Sequence, residues 1–252
     1  MKSRLDRLLV DRGLVPSRER AQALILAGRV LVNEQKLEKA GASVEADTPI
    51  RILGDDLPYV SRGGLKLARA LEYWKINVTG STCLDIGAST GGFTDCLLQA
   101  GATRVVAVDT GYGQIDARLR GDSRVQLLEK TNARYLTAEQ IWGHEQPVAI
   151  HFMAMDVSFI SATLVLPAAV ASIRSSTSRF EAVILVKPQF EVGREWVGKG
   201  GIVRDPEAQQ AAVERVCRAV EELGGAEVEV IDSPILGAEG NREFLLHARF
   251  SE

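Results

Sequence analysis

Residues 83–98 read CLDIGASTGGFTDCLL: an apolar run ending at Asp85, a turn holding Gly87, Gly91 and Gly92, then apolar residues at helical spacing. Glycines between a buried strand and a helix let another molecule approach the backbone, because no Cβ stands in the way. Two nucleotide fingerprints fail here. A dinucleotide turn requires G-x-G-x-x-G and a phosphate loop requires G-x-x-x-x-G-K-[ST], whereas Gly87-Ala88-Ser89-Thr90-Gly91-Gly92 runs on into Phe93. The stretch predicts a cleft with no phosphate cradle.

Outward from this turn, short apolar runs rich in β-branched residues (81–86, 105–108, 125–128, 148–155 and 182–186) alternate with helical patterns at 92–100, 138–142, 161–173 and 206–223. A further helix around Leu65–Trp74 leads into the set, and 228–231 with 244–250 would finish it as a hairpin-like pair. Such alternation predicts an α/β, Rossmann-like parallel sheet with right-handed crossovers and a ligand site at the carboxyl ends of its strands. Asp109 closes the second run, VVAVD, where a carboxylate accepts hydrogen bonds from ribose hydroxyls in nucleoside-binding sheets. A nucleoside without a phosphate to cradle fits this pairing better than NAD or ATP, and S-adenosylmethionine is the commonest such cofactor.

The chain of 252 residues is long enough for a standard domain with a small appendage. No stretch approaches the roughly 18 uncharged residues of a membrane span, and the charged start MKSRLDRLLVDRG is unlike a signal peptide, so a cytoplasmic protein is expected. Cys83, Cys96 and Cys217 are widely spaced and lack CxxC or His neighbours, which predicts neither disulfides nor a metal site. The net charge of −3 is unevenly spread. Residues 1–39 hold nine Lys/Arg against five acids, a basic arm on a neutral or acidic body.

That arm has its own texture. Arg4–Val10 carries apolar residues at helical spacing with Gly13 as its stop, and Pro16-Ser17 opens a second helix that closes at Gly28. Residues 29–32 read as a strand, 33–36 as its turn and 50–53 as the returning strand. With its R-L-D-x-x-L, S-R-x-x-A-x-x-L-I and G-x-V-x-V-N elements, the segment resembles the RNA-binding module first named for the ribosomal protein S-four. The resemblance implies RNA contacts at Arg4, Ser17, Arg18, Arg20, Arg29 and Asn33, mostly to phosphate and A-form shape. Gly54-Asp55-Asp56-Leu57-Pro58 reads as a hinge, so the expected domains are a small α+β module with its linker at 1–60 and the α/β domain at 61–252.

In the larger segment DIGASTGGFTD, VVAVD, MDVSF, LVKPQFE and NREFLL follow in that order, and the segment resembles the FtsJ-type ribose methyltransferases. Together the two segments resemble the TlyA family of haemolysin-named ribosomal RNA 2′-O-methyltransferases. This implies a seven-stranded sheet and S-adenosylmethionine as cofactor, with Asp85, Gly87, Ser89, Gly91, Gly92 and Phe93 at the cofactor turn. Asp109 falls at the ribose, Asn132 faces the adenine, and Asp156 stands beside the cofactor. FtsJ itself has Ala-Pro and Trp where this chain has Ser89-Thr90 and Phe93. The family's Lys-Asp-Lys-Glu set falls on Lys66, Asp156, Lys187 and Glu243, with Lys187 as base for a hydroxyl that is a poor nucleophile at neutral pH. Repulsion from Lys66 and partial burial would favour proton loss from Lys187, while Asp156 and Glu243 hold it in place.

The glycine-rich stretch 189–201 reads equally as an exposed loop or as a flap that orders on RNA, with Arg194 and Lys199 on phosphates and Trp196 stacking a base. The expected partner is ribosomal RNA or a ribosomal subunit, with no membrane and no obligate protein partner. Three rivals stand beside this reading: a non-catalytic RNA-binding or ribosome-assembly factor, a membrane-active haemolysin, and a nicotinamide oxidoreductase. The intact set of four disfavours the first, the absence of a span or strongly basic amphipathic face the second, and the glycine spacing the third.

Overall fold

A computed structural model describes residues 2–15, 17–53, 58–237 and 239–251. They fall into two compact units, Met1–Asp56 and Leu57–Glu252. Of the expected hinge only Pro58 is among the described residues, and Pro16 also lies outside them.

The first unit runs β1 (Lys2–Arg4), α1 (Leu5–Asp11), α2 (Arg18–Leu26), β2 (Val30–Val32), β3 (Gln35–Lys36), β4 (Ser43–Glu45) and β5 (Ile50–Ile52). Leu5, Leu8 and Leu9 of α1 share one helical face and pack on Ala21, Leu24 and Ile25 of α2 and on Val30 and Val32. Ser17 caps α2 by accepting from the Arg20 N–H. Three short strands, β1, β3 and β4, depart from the sequence reading. Asn33 and Glu34 take φ of 51° and 61°, the two-residue hairpin turn with positive φ at both centres, so Gln35 and Lys36 pair back onto β2 instead of belonging to the turn. Arg4 is extended, and β1 pairs antiparallel with β4. Strands this short carry too few residues for alternation to show.

The second unit runs α3 (Gly63–Tyr73), β6 (Thr82–Ile86), α4 (Gly92–Gln99), β7 (Arg104–Val108), α5 (Ala117–Arg120), β8 (Val125–Leu128), α6 (Ala138–Trp142), β9 (Ile150–Met155), α7 (Ala162–Arg174), β10 (Phe180–Val186), α8 (Pro188–Glu191), α9 (Pro206–Glu222), β11 (Gly225–Asp232) and β12 (Phe244–Phe250). Its seven-stranded sheet has the order β11-β12-β10-β9-β6-β7-β8. The apolar runs form the central strands because both sheet faces are covered: Leu84, Met153 and Ile184 point into one cluster, Cys83, Phe152 and Val183 into the other. β6 to β10 are parallel, while β12 enters antiparallel between β10 and β11. From β6 the chain winds outward through β7 and β8, then returns to β9 on the other side. That reversal opens a crevice beyond the carboxyl ends of β6 and β9.

Candidate active site

The turn after β6 is built around contacts within the protein. Gly87 has φ +85°, and a Cβ there would lie 2.3 Å from the carbonyl oxygen of Asp156. The glycine thus lets the ends of β6 and β9 close on each other, where the Asp156 N–H donates to the Ile86 carbonyl at 2.8 Å. Gly91, at φ +95°, is the N-cap of α4, and its would-be Cβ points at Leu119. At both positions a Cβ would meet protein atoms, so packing within the protein already requires these two glycines.

Asp85 also faces inward. It is fully buried, accepts from Thr94 Oγ1 at 2.5 Å, and has its other oxygen without a partner. Burial pushes its carboxyl up to about 7 against the Thr94 hydrogen bond, and the charges of Asp156 and Asp109 add to the rise. It lines neither cavity described next.

A cavity of about 270 Å³ lies beyond β6 and β7, walled by Gly87, Ser89, Asp109, Asn132 and Asp156 with apolar Ile86, Val108, Val157 and Val165. The Asp109 carboxylate accepts from the Ser89 N–H at 2.8 Å and the Gly111 N–H at 2.6 Å, one on each oxygen. A carboxylate has about four acceptor sites, so capacity remains for two hydroxyls. Asn132 caps the turn 133–135 through its Oδ1, leaving its amide NH₂ for another partner.

A second cavity, about 260 Å³, shares Gly87, Ser89 and Asp156 with the first and adds Gly92, Phe93, Arg62, Lys66, Lys187 and Glu243. All four charged residues of the expected set meet here. Lys66, 8% exposed on α3, donates to Glu243 Oε2 at 2.5 Å, and Glu243 is 3% exposed just before β12. Lys187, 9% exposed at the end of β10, places Nζ 2.6 Å from Asp156 Oδ1. Its aligned hydrogen bond goes instead to Ser158 Oγ at 2.7 Å. The site thus holds two ammonium–carboxylate pairs in one pocket, formally neutral together. A third cavity, about 320 Å³, adjoins through Lys187 and Glu243 and is lined by Ser158, Phe159, Gln189, Phe190 and Val197.

Ser158 and Phe159 were not singled out from sequence. Phe159 is 93% exposed with φ 64°, a conformation bulky residues rarely adopt, and its only sequence signal is its place four residues beyond the end of β9 in MDVSF. The 189–201 stretch is partly built: α8 and a 3₁₀ turn at Arg194–Trp196 interrupt it, Glu191 is buried, and Arg194, Trp196 and Lys199 are exposed.

Within the first unit Asp6 is fully buried. Its carboxylate accepts from Arg4 Nε and Nη2, Arg18 Nε and Gln22 Nε2 at 2.9–3.0 Å. These donors, Arg4 first, overcome burial and hold the carboxyl far below its ordinary value. Arg4 and Arg18 remain about half exposed. Ser17 is occupied as a cap, Arg29 donates from Nε to the Leu53 carbonyl, Arg20 is half-buried on α2, and Asn33 stands exposed in the hairpin turn.

The FtsJ-like methyltransferase family description matches residues 59–250. The chain belongs to that family. An S4 domain precedes the FtsJ-like part, matching residues 3–50. Over 247 residues the chain is 46% identical to "Putative rRNA methyltransferase YqxC" of Bacillus subtilis, covering 98% of this chain and 85% of that one. It is 45% identical over 249 residues to the "16S/23S rRNA (cytidine-2'-O)-methyltransferase TlyA" of Mycobacterium tuberculosis, covering 98% and 90%. The solved structure of a "putative hemolysin" from Streptococcus thermophilus superposes with a TM-score of 0.76 at 40% identity, over 100% of this FtsJ-like chain and 89% of that chain. Among the described residues no helix is long and apolar enough to cross a membrane, and no group of three or more His, Cys, Asp or Glu is placed to hold a metal ion.

Proposed function

We propose that the protein transfers a methyl group from S-adenosylmethionine to a ribose 2′-hydroxyl of ribosomal RNA, free or in a subunit, in the cytoplasm. The observation that carries this reading is the shared wall of the first two cavities. Gly87, Ser89 and Asp156 border both a nucleoside-sized pocket and the pocket of paired charges, so a bound nucleoside would present its substituent to Lys187.

The residues fit that cofactor. Asp109 has acceptor capacity for the two ribose hydroxyls, Asn132 keeps an amide donor for the adenine, and the apolar walls suit its ring. Ser89, Gly92 and Phe93 wall the side toward the charges. Asp85, enclosed beneath the turn, supports it without touching the ligand. When bound, S-adenosylmethionine supplies an electrophilic sulfonium methyl group.

Lys187 is the base that takes the 2′-hydroxyl proton as the oxygen–methyl bond forms, and Asp156 and Ser158 aim its nitrogen. Lys66, neutralised by Glu243, stands across the pocket to steady developing charge on the oxygen. Phe159, Phe190 and Gln189, whose Oε1 is buried without a partner, give the third cavity the stacking face and acceptor a splayed nucleobase needs. Arg4 and Arg18 present guanidinium groups to phosphates, Arg20, Arg29 and Asn33 lie on the same small unit, and Arg194 and Lys199 add exposed cations beside the site.

Burial of Lys66, Lys187 and Glu243 beside a half-buried Asp156 favours chemistry over a purely binding role, since desolvating ion pairs costs stability that binding alone does not require. Mapping 2′-O-methylation across ribosomal RNA in cells with and without the protein tests the reading. Loss of a methylated nucleotide, restored by purified protein and S-adenosylmethionine, is expected, and an unchanged map overturns it.

A further inference from the structure

Glu191 is a buried carboxylate beside the active site to which methyl transfer gives no task. It closes α8, four residues beyond Lys187, and is 3% exposed. Both of its oxygens reach across to the neighbouring loop. Oε2 accepts from Ser161 Oγ at 2.5 Å and Oε1 from the Ala162 N–H at 2.7 Å. Its own carbonyl accepts from Arg215 on α9 at 2.8 Å. Burial raises the carboxyl, and the hydrogen bonds from Ser161 and Ala162 and the charge of Arg215 oppose the rise.

These contacts close a ring. β9 and β10 are adjacent and parallel, with Met155 paired to Ile184, so Asp156 and Lys187 leave neighbouring strand ends. At the cleft the two loops are joined by Lys187 Nζ to Asp156 and Ser158. Five residues past Asp156, at Ser161, and four past Lys187, at Glu191, they are joined again. Between the two ties the Phe159 and Phe190 rings lie 5.5 Å apart. Capping α7 does not by itself require Glu191, because Ser161 already accepts from the Thr163 N–H. A carboxylate kept in a nearly closed space must satisfy its oxygens, and here both satisfy them on the loop that carries Ser158.

We propose that Glu191 is a positioning residue for the reaction. It fixes the 157–161 loop so that Ser158 and Asp156 hold the Lys187 amine at one point in the cleft. This rests on the reading of Lys187 as the base.

The test uses the full chain with Glu191→Ala, Glu191→Gln and Ser161→Ala. Three quantities are read: methyl transfer to ribosomal subunits at saturating cofactor, S-adenosylmethionine affinity by calorimetry, and the acylation rate of the Lys187 amine by peptide mass spectrometry. In Glu191→Ala, kcat is expected to fall about 10- to 100-fold, the scale of a misplaced reacting group. KM for RNA and cofactor affinity stay within about twofold, the mark of an interaction that matters only in the transition state. Lys187 is acylated faster than in the wild type. Glu191→Gln restores most of the rate, because its amide offers an acceptor to the Ala162 N–H and a donor to Ser161 Oγ. An unchanged kcat in Glu191→Ala overturns the proposal, as does a cofactor affinity that falls in step with kcat, or a glutamine variant no better than alanine.

Should Glu191→Ala not fold, Ser161→Ala decides, with an intermediate loss of kcat and faster acylation expected and wild-type values overturning it. Should the wild-type protein transfer no methyl group, the function reading falls, and the acylation rates still judge the clamp.

Discussion

Gly87 and Asp156 approach so closely that a Cβ on the glycine would sit 2.3 Å from the aspartate carbonyl oxygen. Gly87→Ala therefore overlaps backbone and strains a residue at φ +85°. The expected cost is about 2–3 kcal/mol of stability, with cofactor affinity reduced at least about tenfold as the two strand ends part. Chemical denaturation and calorimetry read both, and wild-type affinity in the variant would contradict the shared-wall geometry.

Lys187→Ala removes the proposed base while leaving Asp109, Asn132 and the glycine turn in place. Methyl transfer should fall by about a hundred- to ten-thousandfold, the range for a positioned general base. Cofactor affinity should be nearly unchanged. Radiolabelled methyl incorporation into ribosomal subunits measures the first, and full activity would remove Lys187 from the role.

Asp6 offers a test in which two explanations differ in sign. Asp6→Asn makes its unit one charge more positive, so simple charge counting predicts tighter RNA binding. The structure predicts weaker binding, because one buried carboxylate orients both Arg4 and Arg18. A loss of roughly tenfold, about 1.4 kcal/mol, is expected by fluorescence anisotropy on a ribosomal RNA fragment at fixed salt. Circular dichroism confirms that the unit stays folded.

Asp85 sets a pH dependence. Its carboxyl rises from 3.8 to about 7 on folding, chiefly through burial, so the native state keeps a proton that the unfolded chain has released. Its contribution is fully present below about pH 4 and is lost as pH rises toward 7. Asp85→Asn, neutral throughout, should lack this decline, so its stability relative to wild type climbs by a few kcal/mol across the interval. Parallel denaturation curves for the two proteins from pH 4 to 7.5 would refute the assignment.

Long buried strands were legible because both faces of the sheet are covered, which leaves uninterrupted apolar runs such as 105–108 and 182–186. β1, β3 and β4 were not, since two or three residues carry no period and their partners are set by tertiary pairing. The four charged residues were readable as members of ordered motifs. Their pairing was not: Lys66 meets Glu243 across 177 residues, and no local spacing reports such a contact. Glu191 was read as part of a loop, because a carboxylate in a glycine-rich stretch looks solvent-facing until its partners Ser161 and Ala162 are seen.

β12 runs against its neighbours, so its beginning lies where theirs end, and Glu243 arrives at the cleft from the opposite direction to Asp156 and Lys187. During synthesis Lys66 emerges early and stays without its counter-ion until the chain has grown through β12. A ribosome-bound product halted before Glu243 would hold the glycine turn after β6 but an uncompensated cation at Lys66. Assembly of the active centre thereby waits on completion of the sheet.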